Sequence, residues 1–181
     1  IAVVAEGERG RVYINPTAEI EMLAKKASPN WVPETPLHGK CRVNVSNYGI
    51  DKYSDLFTAR QLVALTTLVD LVDEVRKKVT EDAAFHKWQV DDKSLGVGGN
   101  NALAYADAVS VYLSLIISGL SDRSSSICTW DAGGASWGTK TRNTFARQAI
   151  AMTWDFAEVN PFSDQSGSLQ NSIDYSVKGI C

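Results

Sequence analysis

Phe57-Thr-Ala-Arg-Gln-Leu-Val-Ala-Leu-Thr-Thr-Leu-Val-Asp-Leu-Val-Asp-Glu-Val-Arg-Lys-Lys-Val79 is the stretch that decides the fold class. Thr58 and Gln61 stand where a capping box needs them, each side chain able to satisfy a backbone group that the first helical turn leaves orphaned. Phe57 and Leu62 occupy the two positions of a hydrophobic staple. Leu62, Leu65, Val69, Val72 and Val79 then recur at helical spacing. Asp73 with Lys77 and Glu74 with Lys78 form i,i+4 pairs on the other face. The pattern predicts a helix from Thr58 to about Val79, and a helix of that length sets a mainly α architecture.

Working toward the C-terminus, the linker Leu95-Gly-Val-Gly-Gly99 is followed by Asn100 or Asn101, either of which can cap a second long helix. Its inward residues would be Tyr105, Val109, Tyr112, Leu113, Ile116 and Leu120. Ala104, Asp107, Ser110, Ser114 and Ser118 make a stripe of small side chains, which predicts a central helix approached closely from both sides. A Ser- and Gly-rich loop, Ser121 to Gly138, precedes a predicted third long helix from about Thr141 to Val159, stopped by Asn160-Pro161. Leu169 to Val177 reads as a last amphipathic helix ending near Gly179.

Toward the N-terminus, Ile1 to Ala5 and Arg11 to Ile14 are β-prone runs around a glycine-containing turn, so a short hairpin is expected. Thr17 is an N-cap for a helix over Ala18 to Ala27, which ends before Pro29. Ser28 to Asn47 has three prolines and little periodicity, and reads as an extended connector with a strand at Cys41 to Val45. The expected organisation is α+β overall: residues 1–50 hold the hairpin, short helix and connector, and residues 51–181 a helical domain.

A chain of 181 residues, 44% hydrophobic and 22% charged, has ordinary globular composition. It opens at Ile1 without an initiator methionine, and the simplest expectation is a piece of a longer chain. No signal-peptide pattern is visible. The longest oily stretch, Val109 to Leu120, is broken by Ser114, Ser118 and Gly119 and reads as a buried helix, so no membrane partner is expected. Cys41, Cys128 and Cys181 are odd in number, far apart and without CxxC spacing, which indicates neither a disulfide framework nor a local zinc site; a reducing, cytoplasmic compartment is expected. A net charge of −3 argues against a surface that grips nucleic acid throughout, while leaving room for a local basic patch.

Most chemical motifs are missing or broken. In Gly96 to Gly99 the third glycine of a dinucleotide fingerprint would fall at Asn101, and no strand clearly precedes the run. His38 and His86 have no partners at metal-ligand spacing and read as solvated or packed. The predicted third helix carries more information. Phe145, Ala149, Met152, Phe156 and Val159 form its apolar stripe. Asn143, Arg147 and Trp154 recur on the opposite side, and Lys140, Arg142 and Arg147 lie in a stretch without an acid. Such a basic start, with an aromatic nearby, suits phosphate contact and base stacking. The competing reading pairs Arg147 with Asp155 or Glu158 and buries Trp154 in the core. Asn160-Pro161-Phe162 lacks one proline of the (Asp/Asn)-Pro-Pro-(Tyr/Phe) tetrapeptide that holds the target amine in amino-methyltransferases, and its plainer reading is a helix-terminating Asn-Pro pair.

Several longer motifs follow one another in order. They are Tyr53-Ser-Asp-Leu-Phe-Thr-Ala-Arg-Gln-Leu-Val-Ala-Leu-Thr-Thr67, Ala104-Tyr-Ala-Asp-Ala108, Asp122-Arg-Ser-Ser-Ser-Ile-Cys-Thr-Trp130, Arg142-Asn-Thr-Phe-Ala-Arg-Gln-Ala149 and Trp154-Asp-Phe-Ala-Glu-Val-Asn-Pro-Phe-Ser163. Together with Val3-Val-Ala-Glu-Gly7 and Gly10-Arg-Val-Tyr13, they resemble the middle of the large prokaryotic adenine-specific DNA methylases that contain a zinc ribbon. The resemblance implies that an S-adenosylmethionine motif and the zinc-binding cysteines precede this region and that the catalytic Asp-Pro-Pro-Tyr follows it. The chain itself would then bind neither cofactor and would be inactive alone. Its expected role is that of a helical insert assisting DNA binding, through Lys140, Arg142, Asn143, Arg147 and Trp154. The alternative is a structural domain that packs on the remainder of the methyltransferase without touching DNA, whose mark would be an exposed apolar surface.

Overall fold

The computed structural model describes residues 3–7, 10–88, 93–131, 140–163 and 167–180. The chain is mainly α with a small N-terminal hairpin, as expected, and has a second, unexpected antiparallel pair of short strands. Strands β1 (Val3–Gly7) and β2 (Gly10–Ile14) form the N-terminal hairpin, with Val3 opposite Ile14 and Gly7 opposite Gly10. Helix α1 (Ala18–Lys26) follows, capped by the Thr17 side chain, which accepts from the Ile20 N–H. None of the α1 residues is buried.

Helix α2 (Ala59–Phe85) starts where the capping box places it: Thr58 accepts from the Gln61 N–H, and the Gln61 side chain accepts from the Thr58 N–H. It runs past Val79 and ends in a Schellman-type turn, with the Trp88 N–H donating to Ala83 and the Lys87 N–H to Ala84. Lys87 holds a left-handed φ of 62° at the position that usually goes to glycine. The inward face is the expected one except at Val69, whose place Leu68 takes. Leu62 and Leu65 are buried and Leu68 and Val72 pack inward, while Val69 is exposed.

Helix α3 (Ala102–Ser121) packs along α2, with Asn101 as its N-cap accepting from both the Leu103 and the Ala104 N–H. The glycine run before it is a tight turn. Gly98 has φ +80°, and a Cβ on Gly99 would collide with the Lys93 carbonyl. Helix α4 (Leu169–Ile180) lies against α3. Leu65, Ile117 and Leu120 form the core between these helices, with Leu169 and Phe57 against it.

A second core has almost no regular structure around it. It joins Leu37, Val45, Ile50 and Leu56 to Ile127 and Ile150, so it draws on residues from both sides of position 50. Its backbone is satisfied by long-range bonds: the Leu37 N–H to Asp51 at 2.7 Å, the Ser126 N–H to Leu56 at 2.8 Å, and the Ala157 N–H to Cys128 at 2.8 Å. Phe57 packs against both cores.

Three expectations are corrected. Cys41 to Val45 is not a strand but a series of tight turns, bracketed by Gly39 and Gly49 in left-handed conformations, which drives Val45 fully inside. Helix α3 is not buried all round. Ala104, Ile116 and Leu120 face inward, but Tyr105, Val111, Tyr112 and Leu115 face outward, and by length and a mean hydropathy of 1.6 the helix could cross a bilayer. The third long helix does not form. Lys140 and Thr141 make β4, paired with β3 (Trp130–Asp131), and residues 142–159 are irregular. Long-range bonds hold this segment instead: the Arg142 N–H donates to the Thr129 carbonyl, the Thr144 N–H to the Asp122 carbonyl and the Phe145 N–H to the Asp122 carboxylate, and of these only the Phe145 N–H is one that a helix from Thr141 would have bonded within itself. The deeply buried residue here is Ile150, which is not on the expected stripe.

Candidate nucleic-acid interface

With the helix absent, Lys140 lies on β4 and the other four candidate residues along the irregular segment, and the five differ in what holds them. Arg142, exposed, lies 3.4 Å from the Asp131 carboxylate, so its charge is partly matched within the chain. Asn143 donates its side-chain amide to Asp122, which also accepts from the Phe145 N–H. That amide serves the loop. Lys140 is exposed on β4. Arg147 is exposed and has no ion-pair or hydrogen-bond partner among the described residues. Of the two acids expected for it, Asp155 is exposed and forms no ion pair with it, and Glu158 instead takes Arg60 of α2 in a two-pronged pair at 2.7 and 3.2 Å, a hydrogen bond that raises the Arg60 pKa above its ordinary value.

Trp154 is 72% exposed, so the reading that buries it in the core is overturned. Its indole meets the Tyr48 ring edge to face, with centroids 5.1 Å apart and an interplanar angle of 86°. Tyr48 is itself more than half exposed. The same two chain segments also touch where the Lys40 ammonium reaches the Gln148 side-chain oxygen at 3.4 Å, and Tyr53 leans on Phe145 at 6.4 Å. Residues 40–53 and 145–154 therefore form one surface, built over the core of Val45, Ile50 and Ile150. It presents two aromatic rings, Lys40 and the open guanidinium of Arg147.

Lys40, Tyr48 and Gln148 were not legible as site residues. Tyr48 sits in a turn more than a hundred positions before Trp154, and only the tertiary packing of the second core brings them together. Conversely, Asn160-Pro161-Phe162 resolves into a local turn: the Asn160 side-chain oxygen accepts from the Phe162 N–H at 3.0 Å, and the Pro161 carbonyl accepts from the Leu169 N–H at 2.8 Å. The groups that would have to hold a substrate amine are engaged within the chain. His38 and His86 are exposed. Among the described residues, no group of three or more His, Cys, Asp or Glu side chains is placed to hold a metal ion. Gly133 to Gly138 and Cys181 lie outside the described residues.

No protein-family model, curated protein or solved structure matches this chain.

Proposed function

We propose that this chain is the helical insert of an S-adenosylmethionine-dependent, adenine-specific DNA methyltransferase and that it helps hold the DNA for that enzyme. The ordered motifs from Tyr53 to Ser163 support the family. The observation that carries DNA contact is the exposed Tyr48–Trp154 pair on the same surface as Arg147, which has no partner among the described residues, and Lys40, whose one partner is the neutral Gln148 side chain, because aromatic faces and cations not matched by acids are the groups that take bases and phosphates. The cofactor and the methyl-transfer groups belong to the rest of the parent enzyme on this reading. The test is DNA binding by the chain at low and moderate salt, with Arg147→Ala and Arg142→Ala compared. Arg147→Ala should weaken binding more, since Arg142 already has Asp131. Equal binding by both variants and the unaltered chain removes the assignment.

A second reading rests on a different observation. The outer face of α3, with Tyr105, Val111, Tyr112 and Leu115 exposed, borders a shallow groove of about 600 Å³ lined also by Leu95, Ser110 and Ser114. A contiguous apolar face of this kind favours packing against another protein surface. The chain would then be a structural module of the same enzyme. A Leu115→Lys exchange separates the two readings: it abolishes assembly with the remainder of the enzyme under the second and leaves DNA binding by the chain unchanged under the first.

A further inference from the structure

We infer that the Tyr48–Trp154 surface takes an unpaired base of single-stranded DNA instead of a groove of the duplex, an inference that rests on the DNA-holding reading above. The major groove is read by a helix or a two-stranded ribbon projecting side chains along its length. Residues 142–159 offer neither, because their backbone is irregular. Binding to a duplex draws much of its strength from cations on phosphates, and a protein that makes about 6–10 such contacts loses about 10³- to 10⁵-fold in affinity between 50 and 200 mM salt. This surface supplies few cations. Arg42 is paired with Asp51, Lys52 with Glu34, Arg60 with Glu158 and Arg142 with Asp131, so residues 40–53 and 145–154 keep Arg147 and Lys40 for phosphate, Lys140 on β4 lying outside those two segments.

What the surface does offer is an aromatic face. Tyr48 meets Trp154 edge to face, which fixes one ring against the other without the two stacking, so an aromatic face is left for a third ring. Every base has a π-face, and stacking it requires the base to be outside a duplex. The chemistry is therefore one base on the aromatic pair with about two neighbouring phosphates on Arg147 and Lys40. Trp154 is the contacting residue. Tyr48 positions it.

The experiment measures binding of the chain to a fluorescein-labelled oligothymidylate of about 12 nucleotides, within the usual footprint of a stacking groove, and to a blunt hairpin duplex, each at 50 and 200 mM salt. The expected result is tighter binding of the single strand, with only about a sevenfold loss across that salt range if two phosphates are neutralised. Trp154→Ala should weaken it about 5- to 150-fold, the range for removing one stacking aromatic. Tyr48→Phe, which keeps the ring, should bind as the unaltered chain does, whereas Tyr48→Ala should weaken binding. Trp154 is exposed, so its replacement opens no core cavity, and circular dichroism verifies that each variant is folded. Equal or tighter duplex binding, or single-strand binding indifferent to Trp154→Ala, overturns the inference while leaving DNA holding intact. No binding to either nucleic acid overturns both.

Discussion

Asp107 ties together three parts of the helical half, and replacing it with asparagine tests whether that arrangement is as tight as its geometry implies. One carboxylate oxygen accepts from the Arg76 guanidinium of α2 at 2.7 Å, and the other from the Leu95 N–H of the glycine turn at 2.9 Å. The Asp107 side chain is 16% exposed and that of Arg76 40%. A hydrogen bond to a charged group contributes roughly 1.5–3 kcal/mol. Asparagine keeps a neutral bond to Leu95 but loses the one to Arg76, which partly recovers water because it is exposed. The net loss should be about 1–2 kcal/mol, which for a chain of this size lowers Tm by roughly 2–8 °C. The dependence on pH gives a second check. The Leu95 N–H, and then Arg76, hold the Asp107 pKa below its ordinary value. A depressed carboxylate contributes its full stability above that ordinary value, about 3.9, and loses it as pH falls through the folded value. The gap between the native chain and Asp107→Asn, measured by thermal unfolding, should be constant near neutrality and narrow below about pH 4. An Asp107→Asn chain that melts with the unaltered one at pH 7, or a gap that stays undiminished at pH 2, refutes the reasoning.

Two further perturbations probe the backbone. Lys87→Gly relieves a left-handed φ of 62° at the end of α2 and should stabilise the chain by about 0.5–1 kcal/mol, since the steric relief outweighs the added freedom of the unfolded chain; urea titration reads the shift in midpoint. Gly99→Ala should destabilise by about 1–3 kcal/mol because its Cβ meets the Lys93 carbonyl, whereas Gly96→Ala, which meets nothing within 4 Å, should stay within about 0.5 kcal/mol, again by urea titration.

What could be foretold from the amino-acid order tracks how local the determining interactions are. Thr17, Thr58 with Gln61, and Asn101 cap helices through bonds that reach two or three residues, and all three caps stand where the residue types place them. The hairpin is equally local. Residues 142–159 failed for the opposite reason: Phe145, Met152 and Phe156 do recur at helical spacing, but Thr141 is paired with Trp130 as a strand and Asp122 takes the Phe145 N–H that a helix would turn back to Thr141, and both partners lie outside the window in which that periodicity is read. Cys41 to Val45 failed similarly. Its alternation is that of a strand, yet the glycines at 39 and 49 turn the chain back, and Val45 finds its place only against a core assembled with Ile127 and Ile150.

The same distinction sorts the candidate site. Arg147 and Trp154 were legible as residue types suited to DNA, but whether they were available was a tertiary matter, and the packing divides the original five. Asp131 lies beside Arg142 and Asp122 accepts from Asn143, while Arg60 takes the acid that would have quenched Arg147. An acidic chain can therefore keep a small cationic and aromatic edge without being basic overall, provided its other arginines are matched by acids within the fold. That edge is built on the irregular core, and the exposed apolar face belongs to α3 in the helical half. The proposed grip on DNA and packing against the rest of an enzyme thus draw on different residues. Substituting Trp154 and Leu115 separately should disable one without the other, which a single shared surface would not permit.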